Sequence, residues 1–479
     1  MSDSIIERAY EEVNRHKQTV ERDYHRLHYH LMPPVGLLND PNGFIQWNGT
    51  YHLFYQWMPF KTGHGAKFWG HYSSTDLVYW SSEPIALAPT DWFDKNGCYS
   101  GSAVVDDGRM KLFYTGNVKD EQGNRETYQC MAESLDGVSF EKKGVVITLP
   151  EGYTAHFRDP KVWKHELDWY MVIGAQSKDL QGKAVLFKSE DLKAWTHLGV
   201  IAGSQENNVG NFGYMWECPD VFELDGKEIL LVSPQGLAPI GMQFQNKYQT
   251  GYFVGSLDYE SATFTHGAFQ ELDRGFEFYA PQTTLDEKGR RIMFGWMGVP
   301  EQGEEAHPTI KHKWIHSMTL PRELHLVDGK IIQQPVEELK MMRKNEVKYM
   351  SVVFDKREME LKDIHGESVE LELTIKDNPF QTFAVSFRNN VTFKYDRHSQ
   401  IATLERVSFV TGDIEKRQCS LITLEHISFF VDSSSIEIFI NGGQEVFSAR
   451  MFPEEADKSI VFHGNGDVIA DITKWEIRP

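Results

Sequence analysis

The chain has 479 residues, room for two to four domains at roughly 100–200 residues each, and 69 acidic against 49 basic side chains give it a net charge of −20. That balance excludes nucleic acid and anionic membrane as expected partners, since both are bound by basic surfaces. Aromatics at 13% favour β-structure or a carbohydrate site, and four scattered cysteines (Cys98, Cys130, Cys218, Cys419) fit neither a disulfide scaffold nor a zinc site.

Residues 4–24 carry Ile5, Ile6, Tyr10 and Val13 at helical spacing among charges, which predicts one amphipathic helix. The N-terminus is charged where a secretory signal needs an apolar run, and no stretch is apolar for the roughly 18 residues of a membrane span. A cytoplasmic location is expected, with the sequons at Asn48 and Asn390 unmodified. His25, His28 and His30 lack the spacing and partners of a zinc site and are read as structural, so no metal and no cofactor is expected.

From there to about residue 335 one apolar strand recurs: YHLFYQW at Tyr51, MKLFYTG at Met110, WYMVIGA at Trp169, EILLVSP at Glu228 and RIMFGWM at Arg291. The offsets are 59, 59, 59 and 63 residues, and Gly49, Gly108, Gly226 and Gly289 mark hairpin turns before four of the five copies. A second pattern, Ser-x-Asp and then an aromatic, follows in four copies: Ser74/Asp76/Trp80, Ser134/Asp136/Phe140, Ser189/Asp191/Trp195 and Ser256/Asp258/Phe264. Two patterns at one period of about 60 residues predict an all-β, five-bladed β-propeller. Residues PVEELKMMRKNEV read as a short helical linker. Strict alternation then begins (Val369, Leu371, Leu373, Ile375), with a hairpin around Asn441-Gly442-Gly443, and about 130 residues of such strands predict a C-terminal β-sandwich. The expected division is an N-terminal helical segment (1–30), the propeller (31–334), the linker (335–348) and the sandwich (349–479).

The start of the strand before each repeat strand carries Asp40, Tyr99-Ser100, Asp159, Glu217 and Tyr279-Ala280 in turn. Rotation about a propeller axis brings matched positions together at one end of the channel, so three carboxylates converge in one cavity. Converging carboxylates among aromatics suit glycoside hydrolysis, which needs one carboxylic acid to protonate the leaving oxygen and one carboxylate on the opposite face. Glu217, between Trp216 and Cys218-Pro219, has an apolar setting that suits a raised acid. Asp40, among turn amides and Asn39, suits the ionised partner.

At these residues the chain resembles glycoside hydrolase family 32, and among its members those of bacteria that act on phosphorylated sucrose. NDPNG at 39–43, FWGH at 68–71, SGSAV at 100–104, RDP at 158–160, ECPD at 217–220, FYAPQ at 278–282, TLPREL at 319–324 and the hairpin SSSIEIFING carry the resemblance. It implies a five-bladed propeller plus sandwich and a retaining double displacement at the β-fructofuranosidic bond of sucrose 6-phosphate or sucrose. It assigns Asp40 as nucleophile, Glu217 as acid and then base, and Asp159, helped by Arg158, as holder of the fructosyl hydroxyls. Asn39, Gln56, Trp69, Tyr99, Ser100, Tyr279 and Trp296 match family positions near the sugar. The chain departs from the family with Leu37-Leu38 before Asn39, with Gln56-Trp57-Met58-Pro59, and with His64 where many members have tryptophan. Lys61, His64 and Lys67 form a cationic stretch suited to a phosphate. Fructans as substrate and a non-catalytic sugar-binding propeller stay open as alternatives, and the sequence leaves oligomeric state open.

Overall fold

The structure is a computed structural model that describes residues 4–355, 358–376 and 380–478. One α-helix, Ile5–Glu21, precedes a chain built of antiparallel sheets. It begins at a capping box in which Glu7 N donates to Ser4 Oγ at 3.1 Å and Ser4 N donates to Glu7 Oε2 at 2.7 Å. Its apolar stripe (Ile5, Ile6, Ala9, Val13, Val20) packs with Leu38, Tyr55 and Trp314. Among the described residues, no helix is long and apolar enough to cross a membrane.

Five antiparallel sheets follow, one per repeat. Their first strands are Gly36–Trp47, Cys98–Asp106, Tyr153–His165, Met215–Leu224 and Tyr279–Leu285. The recurring apolar strand supplies the second strand of each: Thr50–Met58, Arg109–Lys119, Asp168–Ser177, Lys227–Gln235 and Arg291–Trp296. Each first strand lies against the first strand of the next sheet, and the fifth against the first, so the sheets close a ring. The short strand Trp314–Ile315 pairs in parallel with Gly36 and Leu37 and ties the end of the ring to its start.

Side chains between neighbouring sheets form the cores. Phe54, Trp69 and Tyr114 lie between the first and second, Phe113, Phe157 and Phe187 between the second and third, Trp216 and Phe253 between the third and fourth. Bulky rings bury the most area per residue, which accounts for the aromatic content. The fit is close: a Cβ on Gly174 would fall 2.2 Å from the Trp216 carbonyl oxygen. The Ser-x-Asp pattern builds the turn after the third strand. Ser74 Oγ accepts from Leu77 N at 2.9 Å, Asp76 Oδ1 accepts from Val78 N at 2.9 Å and Tyr79 N at 2.8 Å, and the Trp80 indole donates to the Leu77 carbonyl. The same hydroxyl and carboxylate bonds recur at Ser134/Asp136 and Ser189/Asp191, and the Trp195 indole repeats the bond of Trp80.

The expected helical linker is a correction. Only a 3-10 turn, Glu337–Met342, forms there, and the chain is a strand, Arg343–Phe354, from the next residue on. One turn of apolar spacing is too short to propagate a helix, while pairing with the C-terminal strand Val468–Ile477 satisfies the backbone that follows. Two six-stranded antiparallel sheets complete the fold and face each other across Leu371, Leu373, Phe383, Val385, Phe387, Phe429 and Ile438. The Asn441-Gly442-Gly443 turn joins Ser435–Ile440 to Glu445–Arg450, with all three residues at positive φ.

Buried ion pairs join these sheets to the ring. Arg322, from TLPREL, donates to Asp273 at 3.1 Å and to Glu437 at 2.6 Å, and all three side chains are 0% exposed. Arg406 donates to Glu277 at 2.7 Å. His30 sits between Asp432 (2.8 Å) and Glu437 (3.1 Å), and His28 reaches Glu367 at 3.0 Å, so these histidines bind the N-terminal segment to the C-terminal sheets.

Candidate active site

Every first strand of the ring carries one extra residue relative to its partner at the same level. The shifts lie between Leu38 and Pro41, Tyr99 and Gly101, Arg158 and Lys161, Glu217 and Asp220, and Tyr279 and Gln282. A bulge breaks the strict alternation of a strand and lets consecutive side chains face one side. Thus Asn39 and Asp40, Tyr99 and Ser100, and Arg158 and Asp159 all line one cavity of about 510 Å³ with Glu217 and Tyr279. Asp159 at φ +67°, Cys218 at +46° and Ala280 at +48° hold left-handed backbone at these bulges, a cost concentrated where five strands converge. The finer register differs from the expected one. Arg158, Glu217 and Tyr279 open their bulges, whereas Asp159 lies one residue and Asp40 two residues inside theirs.

The hydrogen bonds give each carboxylate its own environment. Asp40 accepts from Ser100 Oγ at 2.5 Å and Asn39 Nδ2 at 3.1 Å, and Asn39 in turn accepts from Lys67 Nζ at 2.6 Å. Glu217 accepts from Arg158 Nη2 at 2.6 Å, Tyr279 Oη at 2.6 Å and Gln235 Nε2 at 2.7 Å. Asp159 accepts from Cys218 N at 3.0 Å, and the Cys218 thiol lies 3.5 Å from Asp159 and 3.7 Å from Asp40. Burial, then the charges of Asp159 and Asp40, push that thiol well above its ordinary pKa, so it is a neutral donor.

The charge distribution reverses the one expected from sequence neighbours. Burial raises Asp40, the Ser100 hydrogen bond opposes it, and the Glu217 charge adds to it; the net direction is up. Burial would also raise Glu217, but the Arg158 guanidinium and the Tyr279 hydroxyl outweigh it and hold Glu217 below the usual range. Burial lifts Asp159 to about 7 against the pull of Arg158, with Glu217 and Asp40 adding repulsion. Trp216, the apolar neighbour that suggested a raised Glu217, is instead packed in the core between the third and fourth sheets. Among these three groups the proton therefore favours Asp159 and Asp40 over Glu217.

Gln56 and Trp296 line the cavity. Gln56 donates to the Cys98 carbonyl at 2.9 Å, and Trp296 stands edge-on to Tyr279 with ring centroids 6.2 Å apart. Trp69 stands behind the wall instead, packed on Phe54 and Tyr114, and its indole donates to the Tyr99 carbonyl at 3.1 Å. The cationic stretch is not assembled as a patch. Lys67 is buried on Asn39, where burial brings it down to about 7, and His64 pairs with Glu304 at 3.1 Å. Gln235 and Asn117 escaped the sequence reading. Both lie seven residues into the repeat strand, at its cavity end, so the same period applied to the second strands points to them.

Residues 30–335 match the family model "Glycosyl hydrolases family 32 N-terminal domain", and residues 338–477 match "Glycosyl hydrolases family 32 C terminal". The sucrose-6-phosphate hydrolase of Bacillus subtilis (strain 168) is 56% identical over 477 residues, which is 97% of this chain and 95% of that protein. Among solved structures, a sucrose-6-phosphate hydrolase from Lactobacillus gasseri superposes with a TM-score of 0.88 at 30% identity, covering 98% of this chain and 96% of that one. A Bombyx mori GH32 beta-fructofuranosidase mutant in complex with sucrose superposes with a TM-score of 0.87 at 34% identity, covering 100% and 99%. From the bulged inner strands to the last C-terminal sheet, the chain belongs to glycosyl hydrolase family 32.

Proposed function

We propose that the chain is a retaining β-fructofuranosidase that hydrolyses sucrose 6-phosphate, and sucrose, to release fructose. The observation that carries this reading is the meeting of Asp40, Asp159 and Glu217, from three different sheets, in one cavity. Relatives named sucrose-6-phosphate hydrolase over nearly the full length support the substrate class.

Asp40 attacks the anomeric carbon of the fructosyl ring while Glu217 gives its proton to the glycosidic oxygen, and the carbon–oxygen bond breaks. The fructosyl group rests on Asp40 as an ester until a water, deprotonated by Glu217, displaces it. Asp159 accepts hydrogen bonds from the sugar hydroxyls and opposes the positive charge that develops in the ring. Asn39, Gln56, Tyr99, Ser100 and Tyr279 position the sugar, and Trp296 gives it an apolar wall. Substrate hydroxyls on Arg158 and Asp159 loosen the grip of Arg158 on Glu217, which lets Glu217 take up the proton that the free cavity keeps elsewhere. The same reading takes the ring of five sheets as a five-bladed β-propeller (31–334) and the C-terminal sheets as a β-sandwich (349–479), joined through 335–348. It places the enzyme in the cytoplasm, since a phosphorylated sugar does not cross a bilayer unaided.

Asp40→Ala and Glu217→Ala, assayed for fructose release with thermal melts as a folding control, test the assignment. Losses of at least about 10⁴-fold for Asp40→Ala and about 10²–10⁴-fold for Glu217→Ala are expected. Near wild-type activity in either folded variant would overturn the mechanism. Fructose release from inulin as efficient as from the sucrose substrates would overturn the substrate class.

A further inference from the structure

The second sheet sends a hairpin over the rim of the cavity, and its last cross-strand pair is Lys119 opposite Arg125. Like charges directly opposed on a hairpin are destabilising. Among the described residues neither side chain makes an ion pair with a carboxylate, and the Glu217 charge favours Arg125 only across the cavity. The neighbouring acids are occupied. Asp120 accepts from the turn amides of Gln122 and Asn124, and Glu126 accepts from Tyr128 Oη at 2.8 Å. Arg125 is half-buried over the Tyr99 ring, 5.8 Å from its centroid, whereas Arg274, Arg290, Arg322, Arg343 and Arg406 each hold a carboxylate. Its one polar contact is long, 3.4 Å to His156 Nδ1, and His156 lies closer to Arg158, at 2.9 Å.

We propose that Lys119 and Arg125 seat the phosphate of a phosphorylated sugar on its leaving-group side. Arg158 holds Glu217, and His156 links Arg158 to Arg125, so the pair lies on the side of the cavity from which the leaving oxygen is protonated. The cationic side chains of the 64–67 loop are already committed, His64 to Glu304 and Lys67 to Asn39, and Glu301 also lines the cavity. A planar guanidinium and an ammonium presented together suit a phosphomonoester, with the guanidinium bonding two oxygens and the ammonium a third.

This inference rests on sucrose 6-phosphate as substrate, and kinetics on both sugars separate the two claims. Lys119→Met, Arg125→Met, Arg125→Lys and the double Met variant are assayed for kcat and KM on sucrose and on sucrose 6-phosphate, with glucose 6-phosphate as a competing product. In the double variant the ratio of kcat/KM for the phosphorylated over the plain sugar falls at least about thirtyfold, through KM, and inhibition by glucose 6-phosphate weakens in step. Arg125→Lys keeps part of the preference. A double variant whose ratio stays within threefold of a phosphate-preferring wild type would overturn the seat alone. A drop seen instead in Lys61→Met with His64→Gln would also overturn it, by moving the phosphate to the other rim. A wild type with no preference would overturn the substrate reading beneath it.

Discussion

Two regions of this molecule bury charge, and they do so in opposite ways. At the junction of the ring with the C-terminal sheets, Arg322 meets Asp273 and Glu437, Arg406 meets Glu277, and His30 meets Asp432 and Glu437. Each carboxylate there has a cation or several donors, so removing one partner strands another. In the cavity three carboxylates share Arg158 and Lys67, and one proton must be distributed among them. Paired charge fixes how two units meet, whereas crowded charge stores reactivity against stability.

Variants break this comparison in a definite order. Arg322→Met has the largest effect on folding, since it leaves Asp273 buried without its cation and Glu437 with His30 alone, and urea titration is expected to record a loss of about 3–5 kcal/mol. A change under 1 kcal/mol would mean that the junction does not depend on pairing. Asp159→Asn has the opposite signature: kcat falls by about 10²–10³-fold while the protein becomes more stable. The sign follows from its pKa. A carboxyl raised to about 7 in the folded state contributes stability below the unfolded value and loses it as pH rises through 7, where it must ionise among like charges. The gain in Tm from Asp159→Asn is therefore expected at pH 8 and small at pH 5; equal gains at both would sink the crowding argument.

Arg158→Gln sharpens the same point by kinetics. Its charge lowers both Glu217 and Asp159, so its loss shifts the basic limb of the kcat/KM profile to higher pH as the whole curve drops. An unmoved limb would show that Arg158 only binds sugar. His30→Gln is the smallest change. Burial would lower His30, but the hydrogen bonds to Asp432 and Glu437 outweigh it and hold it up at about 9. Its contribution is complete below the unfolded value of a histidine and fades as pH rises through 9. A loss of about 1–3 kcal/mol at pH 7 is expected, shrinking by pH 10, and a pH-independent loss would rule out the charged pair.

How much was legible differs between the elements. Offsets of 59 to 63 residues placed the second strand of each sheet in the ring, because a repeated sheet buries the same apolar faces at the same positions. The Ser-x-Asp turns were equally readable, being short-range backbone capping. The helix expected across 335–348 failed because a single turn of spacing cannot be told from the start of a strand whose partner lies more than 100 residues away. Trp69 was misplaced for a related reason. It has the composition of a sugar site, and only packing puts it behind the wall.

By itself the sequence determined the repeat, the five matched strand positions and the three carboxylates on them, since local pattern and spacing suffice for each. The tertiary structure alone decided which carboxylate carries the proton. That depends on Arg158 reaching Glu217 across two sheets and on the depth of Asp159, and Coulomb interactions and desolvation follow distance through space, with no regard to distance along the chain.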